Sequence, residues 1–248
     1  MSGAVLASVT AEAVANVDLD GARRRQRPES GVRLRRARLE DKRSAGHLLR
    51  EALTPELADA VFGLGVEGAA TSYLERLFAR AGTLWSYDLV TLAEVDGQVA
   101  GMVSHAPWTE LARRYRATMW AYLRVYGPLR IFRLLPRLRL LIRASPPVPV
   151  DHWFIPYLAV FPKHRGNGVA KALLARVHRR ADRKSSACSL YVLADNRAAR
   201  QFYQQAGYVD GTWEESRQLY ELAATRGRLR MDRYVSGGSR TPSNASLV

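Results

Sequence analysis

The sequence is poor in cysteine and has no long uninterrupted apolar segment. One cysteine, Cys188, occurs in 248 residues, so an intrachain disulfide framework is excluded. No apolar stretch approaches the roughly 18 residues that a membrane-spanning helix requires. Residues 1–20 also lack the basic and then apolar pattern of a secretory leader. We therefore expect a cytoplasmic protein without a transmembrane segment, in which Cys188 is a core thiol rather than a nucleophile.

Lysine is scarce as well, although the chain is strongly basic. Arginine outnumbers lysine 34 to 4, and the net charge is +15. Residues 108–150 alone contribute +8, which is more than half of this excess. Such basicity is typical of proteins with a polyanionic partner, but the dominance of arginine fits a coding preference equally well.

The most informative segment joins a strand to a helix through two glycines. Residues 153–160 form an apolar run that predicts a buried strand, and Pro162 ends it. Gly166 and Gly168 then permit a tight turn, and a helical pattern begins at Val169. The first N–H groups of such a helix are unpaired and lie at its positive end. This arrangement predicts a binding site for a phosphate group.

Two common nucleotide motifs do not fit this segment. A Walker A loop requires Gly-Lys followed by Ser or Thr, and the sequence has none. A dinucleotide fingerprint requires a third glycine, but Lys171 occupies that position. The phosphate therefore belongs to another kind of ligand.

A second segment follows the same strand-to-helix plan. Residues 188–193 predict a strand, and residues 197–206 predict a helix that ends at Gly207. The connecting and helical residues read Asp-Asn-x-x-Ala-x-x-Phe-Tyr-x-x-x-Gly-Tyr from Asp195 to Tyr208. Asn196 stands where a residue capping the helix is expected.

Together the two segments resemble the signatures of the GCN5-related N-acetyltransferase (GNAT) superfamily. Arg165, Gly168 and Ala170 match its acetyl-CoA pyrophosphate loop, and the second string matches its second signature. They stand in the right order, 31 residues apart from Arg165 to Asn196. The resemblance implies a mixed α+β fold. Its central sheet would be mostly antiparallel, with splayed fourth and fifth strands and flanking helices.

The resemblance also implies an acetyl-CoA site. The backbone of the strand would bind the pantetheine arm, and the glycine turn with Arg165 would bind the pyrophosphate. The implied cofactor-binding residues are Leu158, Ala159, Val160, Arg165, Gly166, Asn167, Gly168, Val169, Ala170, Lys171, Asn196 and Tyr203. Tyr203 is the implied catalytic residue, because it matches the tyrosine that protonates the departing thiolate. A backbone N–H near Val160 is the expected oxyanion donor.

The general base is not indicated. Many family members place an acid where this chain has Pro156, and N-terminal acetyltransferases of ribosomal proteins use a glutamate where it has Tyr191. Both departures weigh against a protein N-terminus as acceptor. The remaining candidates are His105, Glu94, Asp151 and His152, beside a water chain or a free neutral amine. His47, His164 and His178 lack metal-type spacing, so we expect surface histidines and no metal site.

We expect a single domain over residues 31–235, with flexible tails at 1–30 and 236–248. A helical, basic insertion at 108–150 would lie between the third and fourth strands. Its expected apolar face comprises Leu111, Tyr115, Met119, Tyr122, Leu123 and Tyr126, and a second helix would begin at Pro128 and be interrupted at Pro136. The insertion is similar to that of puromycin-type acetyltransferases. It would pack over the sheet and wall the acceptor pocket; a membrane surface or acidic RNA is the alternative partner.

Shorter signals place the remaining elements. Alternation predicts a first strand at 32–38, and helical patterns cover 40–52 and 71–81. Thr54 and Pro55 predict the start of another helix. Strands at 89–95 and 98–106 form a hairpin around Asp96-Gly97.

The leading hypothesis is an enzyme that moves an acetyl group from acetyl-CoA to a primary amine of a small molecule, such as an antibiotic or a metabolite. One alternative is acetylation of a protein N-terminus or lysine. Another is a catalytically weak module that binds acyl-CoA or nucleic acid. A homodimer and the length of the acyl chain are left open by the sequence.

Overall fold

A twisted sheet with helices on both faces makes up the part of the chain that the structure, a computed structural model, describes, residues 31–235. The strands are β1 (Arg33–Arg36), β2 (Val90–Val95), β3 (Gln98–Pro107), β4 (His152–Val160), β5 (Ala187–Leu193), β6 (Val209–Glu215) and β7 (Gly227–Tyr234). The helices are α1 (Lys42–Leu53), α2 (Pro55–Val61), α3 (Ala69–Phe78), α4 (Trp108–Arg143), α5 (Val169–Ala181), α6 (Arg197–Gln205) and α7 (Arg217–Ala223). The tails expected at 1–30 and 236–248 lie outside the described residues.

The seven strands lie in the order β1-β2-β3-β4-β5-β7-β6. Every neighbouring pair is antiparallel except β4 and β5, which are parallel. This confirms the predicted mixed α+β fold, with a long helix between β3 and β4. The sequence patterns did not predict α7 or β7, and β7 inserts between β5 and β6 rather than following β6 at the edge.

The parallel pair separates after four residues of pairing. β4 and β5 are in register from His152 opposite Ala187 to Ile155 opposite Leu190, and no pairing follows. Pro156 is the next residue of β4, and proline has no N–H to donate to a neighbouring strand. On the other side, Ser104 faces Tyr157 while Ala106 faces Phe154, so β4 holds an extra residue in a bulge. The predicted splay is confirmed, and Pro156 lies where it begins.

The two faces of the sheet bury different helices. One core cluster joins the sheet to α1, α2, α3, α4 and α7, and its largest members include Phe62, Phe78 and Leu134. The other joins it to α5 and α6 and includes Leu173, Tyr203 and Tyr208. We call these the α1 face and the α5 face. A ligand between β4 and β5 would therefore contact both cores.

The structure confirms the turns and helix ends that the sequence predicted from individual residues. Asp96 and Gly97 both have positive φ, 51° and 74°, as the hairpin between β2 and β3 requires. The Thr54 hydroxyl accepts a hydrogen bond from the Leu57 amide at 3.4 Å, and Pro55 is the first residue of α2. Gly207 adopts a φ of 89° next to Ala206, the C-cap residue of α6.

The insertion helix α4 differs from its prediction in two respects. It bends at Gly127, beside the expected start at Pro128, but it continues through Pro136, whose exposed position lets water solvate the carbonyl freed by the proline ring. Its buried face is also rotated, because Tyr115 is 46% exposed while Thr118, Ala121 and Val125 are buried. These smaller side chains allow α4 to approach its neighbours closely.

Buried tyrosines fix the first half of α4 to the rest of the α1 face. The Tyr126 hydroxyl donates to the Phe62 carbonyl at 2.8 Å, and Trp85 Nε1 donates to the Tyr122 hydroxyl at 2.8 Å. The second half exposes large apolar side chains, Leu129, Phe132 and Ile142 among them, between arginines. Over residues 31–235, no helix combines the length and the apolarity needed to cross a bilayer.

An ion pair connects α1 with α2, which together border the gap on the α1 face. Arg50 Nη2 lies 2.6 Å from Asp59 Oδ2, and Asp59 also accepts from the amides of Gly68 and Ala70. Burial alone would raise the pKa of Asp59, but the Arg50 guanidinium and the two amides outweigh it, so the pKa is lowered. The carboxylate therefore holds three chain segments together.

Replacing Asp59 tests this connection. We expect Asp59→Asn to lower the free energy of unfolding by about 2–4 kcal/mol, because it leaves Arg50 without a counter-charge. The exposed Glu67, one residue before Gly68, provides a control, and Glu67→Gln should stay within about 0.5 kcal/mol of wild type. Denaturant unfolding at pH 7 measures both. Equal values for the two variants would contradict the role given to Asp59.

The same pair predicts a pH dependence. The folded-state pKa of Asp59 lies below the unfolded value of about 3.9. Its stabilising contribution is therefore complete above about pH 5 and disappears as the pH falls through the folded-state pKa. The difference in unfolding free energy between wild type and Asp59→Asn should shrink over that interval.

Candidate active site

A cavity of about 370 Å³ passes through the sheet where β4 and β5 separate. Residues 156–160 of β4 and 191–193 of β5 form its edges. The α1 face contributes Glu51, Leu53, Thr54 and Leu57, while the α5 face contributes the glycine turn and α6. The cavity thus connects the two faces of the protein.

The structure brings nearly all the predicted cofactor residues to this cavity. Its lining includes Leu158, Ala159, Val160, Arg165, Gly166, Gly168, Val169, Ala170, Lys171, Asn196 and Tyr203. Asn167 is the exception, because its side chain is exposed at the tip of the turn and does not line the cavity.

The backbone of β4 presents hydrogen-bonding groups to the cavity. The amide of Phe161 donates to the Ala100 carbonyl next to β3, at 2.9 Å. Alternate residues of an antiparallel strand direct their N–H and C=O groups to opposite sides. Leu158 and Val160 therefore direct theirs to the open side, where β5 has moved away. A ligand lying there can pair with both N–H groups and with the Leu158 carbonyl, while the Val160 carbonyl already accepts from Arg165.

The glycine turn exposes the start of α5. Gly166 and Gly168 have φ values of 76° and 75°, and no heavy atom lies within 4 Å of a Cβ built on either. Gly168 precedes the first residue of α5, and no side chain caps that helix end. The amides of the first turn are thus left for a ligand, and the helix dipole favours an anion there.

Arg165 is held inside the site rather than directed outward. Its Nε donates to the Val160 carbonyl at 3.2 Å, and its Nη2 lies 3.1 Å from Glu51 Oε2 on α1. These contacts join α1 to the end of β4. They hold the guanidinium at the cavity lining, in an ion pair with Glu51.

Tyr203 faces the cavity from α6. The side chain is 9% exposed and makes edge contacts with the rings of Phe202 and Tyr208. Burial raises the pKa of Tyr203, so its phenol keeps its proton at neutral and mildly alkaline pH. The phenol is therefore in the protonated state that a proton donor requires, although the raised pKa makes it a weaker acid than a solvated tyrosine.

Asn196 starts the helix that carries Tyr203. Its side-chain oxygen accepts from the Ala199 amide at 3.0 Å, which confirms the predicted cap. The residue also lines the cavity. The end of β5 and the start of α6 are therefore fixed by one side chain beside the gap.

The four acid–base candidates suggested by the sequence do not line the cavity. Glu94 forms an ion pair with Arg35 at 2.6 Å. His105 is buried, which together with nearby Arg180 and Arg176 lowers its pKa to about 4, and its Nδ1 accepts from Trp153 Nε1.

Asp151 and His152 lie at the opposite, paired end of β4. Asp151 accepts from the Ser186 hydroxyl. His152 Nδ1 is 2.5 Å from Ser189 Oγ, which in turn donates to Asp232. Both residues help to join β4 to β5 and β7 below the gap, so their roles are structural.

Several lining residues were not indicated by the sequence, and four of them carry polar groups of importance to the site. Glu51, Tyr157 and Arg228 line the α1-face side, and His164, expected at the surface, lines the cavity beside the glycine turn. The sequence carries no local signal for Glu51 or Arg228, since α1 and β7 reach the cavity only through the tertiary fold. The described chain has no group of three His, Cys, Asp or Glu side chains placed to hold a metal ion.

The expectation that α4 walls the cavity is wrong. No residue of α4 belongs to the lining. The helix supports one lining residue indirectly. Its Tyr122 hydroxyl accepts a hydrogen bond from Trp85, and the Trp85 ring stacks on the lining residue Tyr157 at 4.7 Å between centroids. The segment after α4 is joined to the sheet, because the Tyr191 hydroxyl donates to the Pro146 carbonyl.

Solved structures support this architecture. The chain is similar to an N-acetyltransferase from Staphylococcus aureus Mu50, with a TM-score of 0.63, 19% identity, and coverage of 81% of this chain and 99% of that chain. It is also similar to a structure described as an acetyltransferase, with a TM-score of 0.59, 20% identity, and coverage of 82% and 99%. At these identities the likeness concerns the fold. The search of curated protein sequences gave no significant match.

A family model identifies the chain more directly. The model of the acetyltransferase (GNAT) family matches residues 53–208, which include both signatures and the gap between β4 and β5. Because the match covers more than half of the sequence, the protein belongs to the acetyltransferase (GNAT) family and is an acetyl-CoA-dependent N-acetyltransferase.

Proposed function

We propose that the protein acetylates the primary amine of a small molecule by direct attack within a ternary complex. The observation that carries the proposal is the cavity through the sheet, which has the glycine turn at one side and an aromatic, helix-covered side opposite. A volume of about 370 Å³ is in the range of small-ligand sites. The donor and the acceptor would enter from different faces and meet between β4 and β5.

The proposed position of acetyl-CoA follows from the available backbone groups. The diphosphate would accept from amides of residues 166–171, with Arg165 as a nearby positive charge. The pantetheine arm would pair with the open side of β4 at Leu158 and Val160. When bound there, acetyl-CoA supplies a thioester carbonyl between the two faces.

The proposed chemistry uses groups that line the gap. A neutral amine attacks the carbonyl carbon, and the developing oxyanion accepts from the open N–H of Val160. The carbon–sulfur bond then breaks, and the Tyr203 phenol donates its proton to the departing thiolate. The amine loses its own proton to solvent, and solvent returns a proton to the Tyr203 phenolate. No catalytic base on the protein is required in this scheme if the amine arrives uncharged.

The acceptor side supports a small substrate. Tyr157, Tyr191 and Arg228 line it, and Leu57 of α2 lies opposite. Behind them, Trp85 stacks on Tyr157, and Phe154 meets the Tyr191 ring edge to face at 4.8 Å. Such a packed aromatic wall fits a compact molecule better than an extended peptide.

A protein amine is the second candidate acceptor, and one surface favours it. The second half of α4 exposes Leu129 and Phe132, 83% and 73%, among arginines. An acidic protein could dock there and present a lysine to the cavity. Mass spectrometry of cell proteins incubated with the enzyme and acetyl-CoA distinguishes this candidate, which requires defined acetylated sites.

The direct test is release of free thiol from acetyl-CoA with a broad panel of primary amines. Turnover with one or more small amines supports the proposal. Tight binding of acetyl-CoA in calorimetry, without turnover of any amine or protein, would instead indicate an acyl-CoA-binding module.

Removing the Tyr203 hydroxyl should slow the reaction. We expect Tyr203→Phe to lower kcat by about 10²-fold or more, because proton transfer to a leaving group contributes that much. Its neighbour Tyr208 is the matched control: its hydroxyl contacts His178 and Cys188, outside the cavity. Tyr208→Phe should change stability but leave kcat within about threefold. A Tyr203→Phe enzyme with wild-type kcat would rule out the assigned role.

The glycine turn offers a second test with an internal control. Gly168 and Gly82 share a φ of 75° and have no atom within 4 Å of an added Cβ, but only Gly168 lines the cavity. Each change to alanine should cost about 1 kcal/mol of stability, because both positions are left-handed. We expect only Gly168→Ala to weaken binding of coenzyme A, by about tenfold or ~1.4 kcal/mol. Calorimetry with coenzyme A measures this, and equal affinities for both variants would contradict the site.

A further inference from the structure

Arg228 differs from the other arginines of its strand. It lines the cavity from β7, where it lies opposite Leu193 of β5. Farther along β7, Arg230 lies 3.0 Å from Asp232 and Arg233 lies 2.7 Å from Asp182. Arg228 has no acidic partner among the described residues. Its cross-strand neighbour Glu214 on β6 does not come within ion-pair distance.

The guanidinium of Arg228 is partly satisfied and partly open. Its Nη1 donates to Ser145 Oγ at 2.8 Å, and its Cζ lies 4.5 Å above the Tyr191 ring. The Nε is shielded from solvent and has no hydrogen-bond partner. No hydrogen bond joins Nη2 to any residue of the described chain. The N–H groups of Nη2 and the second N–H of Nη1, rather than the shielded Nε, are thus left for a group inside the cavity.

A half-buried guanidinium without a counter-charge is energetically unfavourable. Burial lowers the pKa of Arg228, and the nearby Tyr191 and Tyr157 oppose this only in part. An arginine nevertheless stays charged at neutral pH. An uncompensated charge in such a place destabilises the protein unless a ligand supplies the opposite charge. The missing partner is therefore an anion that binds in the cavity.

The shape of the open edge indicates which anion. Two parallel N–H groups on one side of a planar guanidinium match the two oxygens of a carboxylate. The phosphates of coenzyme A have their own site at the amides of residues 166–171, beside α5. Arg228 lies on the other side of the gap, with Tyr157 and Tyr191, where the acceptor would enter.

We propose that Arg228 binds a carboxylate of the acceptor, so that the substrate is a small amine that also bears a carboxylate, as an amino acid does. This inference rests on the proposed function of acetylating a small amine. Ser145 and Tyr191 are positioning residues: the first fixes Nη1 from the end of α4, and the second supports the face of the guanidinium. The insertion thus shapes the acceptor site through the segment that follows it.

Matched pairs of amines test the proposal. Wild type is assayed with acetyl-CoA and glycine, alanine, leucine, phenylalanine and glutamate, each beside its primary carboxamide. The amide has the less basic amine, so its intrinsic reactivity at neutral pH is the higher of the two. For the preferred side chain, we nevertheless expect the kcat/KM of the acid to be at least about tenfold higher than that of its amide. A hydrogen bond to a charged group contributes a free energy of this size.

Variants connect this preference to Arg228. Arg228→Met should abolish the preference for the acid, while its Tm stays equal to or above that of wild type, because an unpaired charge is removed. Arg228→Lys keeps the charge without the fork and should retain part of the preference. Arg226→Met is the control: Arg226 is exposed, pairs with Asp195 and lies outside the cavity. It should behave as wild type.

Two further measurements separate the outcomes. Calorimetry of the same acids and amides with the coenzyme A-bound protein detects the subsite without turnover; acid binding that Arg228→Met removes supports the subsite even if no amine is acetylated. Malonyl-CoA and succinyl-CoA with an uncharged amine test a carboxylate on the acyl group instead. Four outcomes would each overturn the proposal. The first two are turnover without a preference for the acids and a preference that Arg228→Met leaves unchanged. The other two are turnover that depends on Arg228 only with these two donors and the absence of both binding and turnover.

Discussion

The separation of β4 from β5 is the constraint on which the rest of this structure depends. Two strands that stay paired satisfy their backbone N–H and C=O groups with each other, but here the pairing ends at Ile155 and Leu190. Pro156 has no N–H to continue it, and a bulge against β3 turns the rest of β4 aside. The open backbone at Leu158 and Val160 follows directly. The cavity between the separately packed α1 and α5 faces is a second consequence of this separation.

Both faces are built to keep this passage open. On the α5 face, Asn196 fixes the start of the helix that bears Tyr203, and two left-handed glycines present the first amides of α5. On the α1 face, Arg165 joins Glu51 to the end of β4. Each of these contacts fixes residues at the edge of the gap and leaves the gap itself open. The gap therefore stays open to a ligand from both faces.

The insertion affects the cavity indirectly. Helix α4 does not line the cavity, yet its Tyr122 bonds to Trp85, which stacks on Tyr157. Ser145, two residues after the end of α4, accepts a hydrogen bond from Arg228. Its amphipathic pattern was visible in the sequence, but the exact face it buries was not. The smaller Thr118, Ala121 and Val125 are buried while Tyr115 is exposed, because small side chains allow helices to pack more closely.

Residue chemistry by itself determined the turns, the helix caps and the glycine cradle, because each depends on a few neighbouring residues. Glycine at 166 and 168 and asparagine at 196 have these effects through their local backbone alone. The splay of the strands was implied by the resemblance to the GNAT superfamily, and Pro156 alone did not indicate it. The tertiary structure alone decided which acids and bases meet the cavity. It removed His105, Glu94, Asp151 and His152 and brought in Glu51 and Arg228, since these come from elements far apart in sequence. Their meeting depends on the order β4-β5-β7 in the sheet, which no local pattern encodes.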